Sequence, residues 1–243
     1  QPGQMAMITG SSHLHLGVTD RAVHGEGFWG TYQDAVYPGL NIIEGGQTST
    51  GSVIAWLRRL TGSLDFKTLN EQAAKLPPGA NGLLVLDHFQ GNRTPHTDAL
   101  SRGAITGLSL FHGPEHLFRA VMEGISFGTC AVLDAMGRGG VRPTALTVCG
   151  GASNSPLWLQ IHADTAGLPM NVPSCTDAAA LGSAVMAAKG TGHYDTIQEA
   201  IDAMTSIDRV IEPNPQMHEA YREIYARYQQ LYPAMIPLRA PGG

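Results

Sequence analysis

Short apolar blocks recur along the chain and alternate with turns rich in glycine. Residues 5–19 predict two short strands around Gly10, because MAMI is continuously apolar and apolar side chains alternate in HLHLGV. Residues 20–40 combine turn-forming and aromatic side chains and therefore predict a packed loop. The stretch LNIIEGGQTSTGSVIAWLRRLTG then predicts a strand, a turn at the glycine pair and a helix that ends at Gly62.

Beyond residue 65, helical and strand patterns follow one another. The predicted elements are a helix over 69–76, a buried strand over 82–89, a loop over 91–103, a helix over 114–136, a strand over 145–149, a helix over 155–166, a strand over 168–172, and helices over 177–189 and 215–232. Alternation after residue 145 predicts βαβ units on a largely parallel sheet. In the last helix, four residues recur at helical spacing, which favours core packing over a ligand platform: Tyr221, Ile224, Tyr228 and Leu231. One compact α/β domain over residues 1–243 describes this pattern most simply.

Composition narrows the class of protein. Of 243 residues, 43% are hydrophobic and 14% charged, and 30 are glycine, which is typical of a globular α/β protein with many tight turns. The net charge is −5 and no run of Lys or Arg occurs, so nucleic acid is not an expected partner. No apolar stretch is long enough to predict a membrane span, and Cys130, Cys149 and Cys175 lack CxxC spacing. These features predict a cytoplasmic protein with free thiols and no membrane partner.

Histidine pairs are the first candidates for chemistry. His13 and His15 lie two residues apart on a predicted strand, so both side chains face the same side, and His112 and His116 flank a predicted helix start. Zinc sites use such pairs but need a third and a fourth ligand, which the sequence does not supply at a workable spacing. The G-x-S-x-G motif of serine hydrolases is also absent. We therefore expect no metal held by protein ligands and no serine nucleophile.

Turns that combine glycine with hydroxyl residues are stronger candidates. The patterns G-x-x-x-x-G-K-[ST] and G-x-G-x-x-G are both absent. The turns present are TGSSH at 9–13, EGGQTSTG at 44–51 and CGGASNS at 149–155. The first joins two strands and the others open helices, where backbone N–H groups are donors for phosphate. Each of these turns could instead have only a structural role. In the third, for example, Gly150 and Gly151 would form a tight turn and Ser153 or Ser155 would cap a helix. Together they predict a nucleotide site.

Residues 103–124, GAITGLSLFHGPEHLFRAVMEG, resemble the second signature of the FGGY family of carbohydrate kinases. Three further segments resemble the family in the same order: GFWGTYQDAVYPGLNIIEGGQTSTG, HFQGNRTPHTDALSRG and MHEAYREIYARYQQLYPAM. The resemblance runs from about Met5 to Met235 and favours the ribulokinase-like branch. It implies the ribonuclease-H-like α/β fold of actin, heat-shock 70 chaperones and hexokinase, with a mixed central sheet flanked by helices. It also implies the C-terminal nucleotide-binding domain of a protein about twice as long.

The resemblance implies residues for a nucleotide site but no catalytic residue. They are glycines and small residues that let a nucleotide approach the backbone: Gly10, Ser11, Ser12, Gly51, Gly150, Gly151, Ala152 and Ser155. The first three match a motif for the β- and γ-phosphates, and the fourth matches a glycine beside the nucleotide at a helix start. The last four match an adenosine motif, where other members have asparagine in place of Ser155. The general-base aspartate, most sugar contacts and much of the magnesium site are expected in an N-terminal sugar-binding domain that this chain lacks.

The implied function is transfer of the γ-phosphoryl group of ATP, with Mg²⁺, to a pentulose or related polyol. The chain alone is expected to bind nucleotide weakly and to be inactive. Two alternatives remain: a non-catalytic actin-like nucleotide-binding module and a hydrolase with carboxylates at strand ends. The identity of the sugar and the formation of a homodimer stay open.

Arg93 is expected either to face the cleft or to form an ion pair within its loop. Residues 177–190, DAAALGSAVMAAKG, resemble a connecting helix whose small residues allow close packing.

Overall fold

The computed structural model describes residues 2–239, so the predicted domain limits 1 and 243 lie outside the described residues. Its strands are β1 (Gln4–Thr9), β2 (His13–Thr19), β3 (Trp29–Gln33), β4 (Asn41–Gln47), β5 (Leu84–Leu86), β6 (Ala104–Thr106), β7 (Ala145–Gly150), β8 (Met170–Pro173) and β9 (Ile207–Ile211). Its α-helices are α1 (Gly51–Leu60), α2 (Phe66–Ala73), α3 (Pro114–Arg138), α4 (Pro156–Ala166), α5 (Ala178–Gly190), α6 (Ile197–Met204), α7 (Pro215–Tyr228) and α8 (Leu231–Met235). Short 3-10 helices cover Ala80–Gly82, Gly151–Asn154 and Ile236–Leu238.

Seven strands form one sheet in the order β3-β4-β2-β1-β7-β8-β9, and β5 pairs separately with β6. In the large sheet β1–β7 and β7–β8 are parallel pairs, and the other neighbours are antiparallel. The sheet is mixed, as the family resemblance implied, and the expectation of a largely parallel sheet is wrong. The reason is connectivity, because β1, β2, β3 and β4 follow one another through turns and loops without a helix, whereas helices precede β7 and β8.

The glycine pair in EGGQ lies inside β4, where a turn was predicted. A Cβ at Gly45 would come within 2.8 Å of the Val132 side chain and 3.0 Å of the Met136 side chain, both on α3. Close packing of the helix on the strand therefore explains Gly45. The chain turns only after Gln47, before α1 begins.

Other boundaries also differ from the sequence prediction. Helix α2 begins at Phe66 because the Asp65 carboxylate accepts hydrogen bonds from the N–H groups of Lys67 and Thr68. The strand predicted over 82–89 is only the short β5, outside the main sheet. Strand β3 lies within the predicted loop, and β9 and α6 were not predicted.

Helices α3 and α4 cover one face of the large sheet. Buried side chains from β1, β7, α3 and α4 share one core there, including Met7, Val148, Val132 and Leu159. The alternation of β1 follows from this, since Met5 and Met7 are buried while Ala6 and Ile8 are more exposed.

A second core lies between α3 and α7 and confirms that Tyr221, Ile224 and Tyr228 are buried, whereas Leu231 begins α8 and is only partly buried. The Tyr221 hydroxyl donates to Oε1 of Glu123 at 2.9 Å and accepts from Arg119 at 2.6 Å, so its polar end is satisfied. Within residues 2–239, no helix combines the length and apolar character needed to cross a membrane.

Candidate functional site

Two of the predicted turns leave the large sheet side by side. Thr9, the last residue of β1, pairs in register with Gly150, the last residue of β7, in the parallel ladder. The turn 10–12 after β1 and the loop 151–155 after β7 therefore start from the same edge. Ligands in α/β folds bind at the carboxyl ends of parallel strands, so this edge is the candidate site.

The turn 10–12 also contacts the start of α1. The carbonyl oxygens of Gly10 and Ser11 accept hydrogen bonds from the backbone N–H groups of residues 50–52 at 2.8 to 3.2 Å. The first donors of α1 are thus used inside the chain, which corrects the expectation that this helix start offers them to a phosphate. A Cβ on Gly51 would overlap the carbonyl oxygen of Gly10, so this contact alone requires glycine. The approach of Gly51 to a nucleotide stays a prediction.

The hydroxyl groups of the turn 10–12 are available. Ser11 and Ser12 are exposed, and their hydroxyls have no hydrogen-bond partner among residues 2–239. A Cβ on Gly10 would meet nothing closer than 3.8 Å. Neutral hydroxyl and backbone donors in a tight turn suit an anionic ligand such as phosphate.

The start of the second loop is held by Thr9. The Thr9 hydroxyl donates to the carbonyl oxygen of Cys149 at 2.7 Å and accepts from the N–H of Ala152 at 3.0 Å. Gly150 has φ +89°, and a Cβ there would overlap the carbonyl oxygen of Thr9. Gly150 and the buried Ala152 therefore form the turn. Thr9 is not among the residues predicted from the sequence, although a polar residue at the end of an apolar strand is a signal.

Gly151 differs from both neighbours in this loop. It is exposed, and a Cβ added to it would have no atom within 4 Å. No contact inside the described chain therefore requires glycine at this position. An open backbone beside Ser11 and Ser12 at one sheet edge is suited to a flat ligand that lies against it.

Ser155 caps α4, as the structural alternative predicted. Its Oγ accepts a hydrogen bond from the N–H of Trp158 at 3.3 Å and donates to Oδ1 of Asn70 on α2 at 2.9 Å. Ser153 donates to the carbonyl oxygen of Gly150 at 2.6 Å. Both serines thus stabilise the loop, and contact between Ser155 and a ligand stays a prediction.

One cation reaches the loop 151–155. Nη2 of Arg209, on β9, donates to the carbonyl oxygen of Ser153 at 3.0 Å, and its Nη1 lies 3.6 Å from the Asp208 carboxylate. Arg209 is not among the residues predicted from the sequence, because it lies on β9, for which the sequence predicts no strand. Burial raises the pKa of the Cys149 thiol, so this group beneath the loop stays protonated and adds no negative charge.

Among the residues that the structure describes, the candidate site has no preformed set of metal ligands. Among residues 2–239, no group of three or more His, Cys, Asp or Glu side chains is arranged to hold an ion. Magnesium in phosphoryl-transfer sites keeps several waters and is bound by substrate phosphates with one or two carboxylates. The hydroxyls and backbone groups at this sheet edge fit contact with phosphates rather than direct coordination of Mg²⁺. We assign no residue of this chain to the ion.

Arg93 forms an ion pair, but not within its own loop. Its guanidinium pairs with Glu44 of β4 and lies over the ring of Trp29 at 4.6 Å. Glu44 lies on the sheet, so this pair attaches the loop to β4. Arg93 therefore does form a structural ion pair, but the expectation that its partner lies within the loop is wrong.

The mixed sheet with helices packed on it is the ribonuclease-H-like fold of actin, hexokinase and sugar kinases. The crystal structure of xylulose kinase from Rhodospirillum rubrum matches with a TM-score of 0.86 and 26% identity, covering 98% of this chain and 48% of that one. The sequence model of the "FGGY family of carbohydrate kinases, C-terminal domain" matches residues 5–191. The chain belongs to the FGGY family of carbohydrate kinases.

Curated relatives agree with this assignment. An "FGGY carbohydrate kinase domain-containing protein" of Danio rerio is 32% identical over 94% of this chain and 46% of its own length. A ribulokinase of Shouchella clausii (strain KSM-K16) is 33% identical over 95% of this chain and 44% of its own length. The chain thus spans about half the length of the curated relatives it matches.

Proposed function

We propose that this chain is the nucleotide-binding half of an ATP-dependent carbohydrate kinase, a single domain over residues 1–243. The phosphoryl acceptor is a hydroxyl group of a pentulose or a related polyol. Membership of the kinase family and similarity to ribulokinase and xylulose kinase support this reaction class. The observation that carries the nucleotide site is the single sheet edge where the free hydroxyls of Ser11 and Ser12 and the open backbone of Gly151 emerge.

In this proposal the turn 10–12 holds the β- and γ-phosphates of ATP. The hydroxyls of Ser11 and Ser12 donate to phosphate oxygens, and the bonds from residues 50–52 to the carbonyls of Gly10 and Ser11 keep the turn in place. Phosphoryl transfer depends mainly on alignment and charge stabilisation, so a fixed set of neutral donors is useful chemistry. Mg²⁺ that accompanies the nucleotide supplies further neutralisation of its charge.

The adenosine part of the nucleotide is proposed to lie along the loop 151–155. Gly151 leaves room for the ligand, and the hydrogen bonds of Thr9 fix the backbone on either side. The Arg209 side chain stabilises this loop by donating a hydrogen bond to the carbonyl oxygen of Ser153. The sugar and the base that takes the proton from its hydroxyl are proposed to be held by an N-terminal half, so this chain alone is inactive.

Helix α5 supports the proposal of a second half. Its sequence is almost entirely apolar or small, yet Val185 is its one buried residue and Met186 is 62% exposed. An apolar helix that its own fold leaves uncovered requires a partner surface. We propose that the N-terminal half of the kinase covers α5, since the matched relatives are about twice as long as this chain.

The two alternative functions have less support. A hydrolase on this fold needs free carboxylates at the strand ends, but the buried Asp87 is already bonded to Gln47 and Tyr228. A non-catalytic nucleotide-binding module is compatible with the sheet edge but not favoured by the kinase family match.

Calorimetric titration of this chain with ATP and Mg²⁺ tests the nucleotide site. We expect weak binding that Gly151→Val abolishes, because the new side chain fills the ligand's place, while a Cβ at this position meets no protein atom within 4 Å. Gly190→Val is the matched control, since a Cβ at Gly190 also has no atom within 4 Å. No binding by the unsubstituted chain, or equal binding by Gly151→Val, overturns the site.

A coupled kinase assay with a panel of pentuloses and polyols tests the reaction. We expect activity only in a longer protein that contains the N-terminal half. In that protein Met186→Lys should lower activity, while in this chain alone it should leave the free energy of unfolding unchanged. Phosphorylation of a sugar by this chain alone would contradict the proposal that the base lies elsewhere.

A further inference from the structure

Four aromatic side chains form a buried group behind the candidate site. We call this group the histidine cluster; its members are His13 and His15 on β2 and Trp158 and His162 on α4. The His13 ring centroid lies 5.5 Å from those of Trp158 and His162 and 6.4 Å from that of His15. Trp158 and His162 stack on each other at 5.6 Å. The cluster therefore joins the start of β2 to the start of α4.

Ring contacts rather than hydrogen bonds hold the cluster together. Among residues 2–239, neither ring nitrogen of His13 or His162 has a hydrogen-bond partner, nor has Nε1 of Trp158. Burial, with smaller effects of His162 and His15, lowers the pKa of His13 well below 6.5, so the ring is neutral near pH 7. A buried polar atom without a partner costs stability, and the contacts between the rings offset part of that cost.

His13 is placed to control the turn that we assign to phosphate. It follows Ser12 directly and pairs with Thr9 across the turn 10–12. Thr9 ties the incoming side of this turn to the loop 151–155 through Ala152. On the outgoing side, the His13 ring packs against the Trp158 ring. The backbone N–H of Trp158 in turn donates a hydrogen bond to the Ser155 hydroxyl. The turn is thus anchored to the same loop and helix on both sides.

We propose that His13 is a positioning residue for the nucleotide site. Its ring, packed against Trp158 and His162, fixes the hydroxyls of Ser11 and Ser12 relative to the loop 151–155. This inference rests on the proposed function of that edge as a nucleotide site. His15 belongs to the same cluster but lies two residues further from the turn, so it does not share this role.

The test compares His13→Ala with His15→Ala, because both positions lie on the same face of β2 and are at most 1% exposed. The dissociation constant for ATP is measured by calorimetry at pH 7.5, and the free energy of unfolding by urea denaturation. We expect both variants to lose stability, whereas the dissociation constant rises about tenfold for His13→Ala and less than about twofold for His15→Ala. His13→Leu, which restores apolar bulk against Trp158, should recover most of the affinity.

Two results would overturn the inference. One is an unchanged dissociation constant in His13→Ala, and the other is an equal rise in both alanine variants. If His13→Ala does not fold, His13→Val and His15→Val carry the same comparison with a smaller loss of volume. Absence of ATP binding by the unsubstituted chain overturns the proposed function as well, whereas binding that ignores His13 overturns this inference alone.

Discussion

The N–H of Ala152 donates a hydrogen bond to the hydroxyl of Thr9 across 3.0 Å, although 143 positions separate the two residues in the chain. The same hydroxyl donates to the carbonyl of Cys149 at 2.7 Å. One side chain at the end of β1 thus fixes the loop that follows β7. Because Thr9 is only 3% exposed, water does not replace these bonds when the hydroxyl is removed.

We expect Thr9→Val to lower the free energy of unfolding by about 1–3 kcal/mol, since it leaves a buried N–H and a carbonyl without partners. The variant should also weaken ATP binding, because the loop 151–155 loses its fixed start. Urea denaturation and calorimetry measure the two effects. Thr9→Ser keeps the hydroxyl and serves as the control. If Thr9→Val, which keeps the methyl group, lost no more stability than Thr9→Ser, which keeps the hydroxyl, the hydrogen bonds would not be what holds the loop.

Gly150 is expected to tolerate no side chain. Gly150→Ala should lower the free energy of unfolding by more than about 1 kcal/mol, because φ is +89° and the Cβ would overlap the carbonyl of Thr9. Gly182→Ala is a suitable comparison, since Gly182 lies in α5 and a Cβ added there would have no atom within 4 Å. There alanine should raise stability by about 0.5–1 kcal/mol. Thermal and urea unfolding of both variants measure the contrast, and equal effects would contradict this account of Gly150.

The sequence predicted those elements whose signals are local. Helix α3 was expected over 114–136 and runs Pro114–Arg138, because proline at its first position and glycines near its end mark both limits. The turns around Gly10 and Gly150 were also located. Edge strands were missed because their form depends on the neighbour they pair with. In β9, both Ile207 and Val210 remain about half exposed, so no buried alternation marks the strand.

The sequence predicted which residues form the candidate site, but not which of them shape its turns and which are open to a ligand. The sequence does not reveal that Gly51 is required by the carbonyl of Gly10, since that contact joins residues far apart in the chain. For the same reason Thr9 and Arg209 were missed, because their bonds cross from β1 and β9 to the loop after β7. Within the adenosine motif, Gly150 and Gly151 look alike in sequence and differ only once the position of β1 is known.

A buried ion pair on α3 is expected to be costly to break. Arg119 donates to Oε1 of Glu123 at 2.7 Å, and their side chains are 8% and 2% exposed. The N–H of Gly79 and the hydroxyl of Tyr221 also donate to this carboxylate. Glu123→Leu leaves a buried guanidinium without its partner and should lower the free energy of unfolding by about 3–5 kcal/mol.

Two comparisons test this expectation by urea denaturation. Glu219→Leu removes an ion pair with Arg222 whose side chains are 66% and 64% exposed, and it should cost less than about 1 kcal/mol. The triple variant Arg119→Met, Glu123→Leu, Tyr221→Phe removes the polar groups together and should recover most of the loss of Glu123→Leu. A triple variant less stable than Glu123→Leu would show that the network itself stabilises the fold.

The stability of the chain should fall on mild acidification because of its buried histidines. Burial lowers the pKa of His15 to about 4 and, with a smaller effect of His15, that of His162 to about 3. In the unfolded chain each histidine takes up a proton near pH 6.5, whereas in the folded chain it stays neutral down to these values. The unfolded state therefore binds more protons below pH 6.5, and each histidine removes about 1.4 kcal/mol of stability per pH unit between pH 6.5 and 4. Above pH 6.5 the histidines are neutral in both states, so their contribution to the free energy of unfolding is complete and no longer changes with pH.

Urea denaturation at pH 7.5, 6.0 and 5.0 measures the dependence of the free energy of unfolding on pH. His15→Leu should reduce this slope by about 1.4 kcal/mol per pH unit. His24→Leu, at an exposed position, is the control. An unaltered slope in His15→Leu would show that His15 takes up its proton at the same pH in the folded and the unfolded chain.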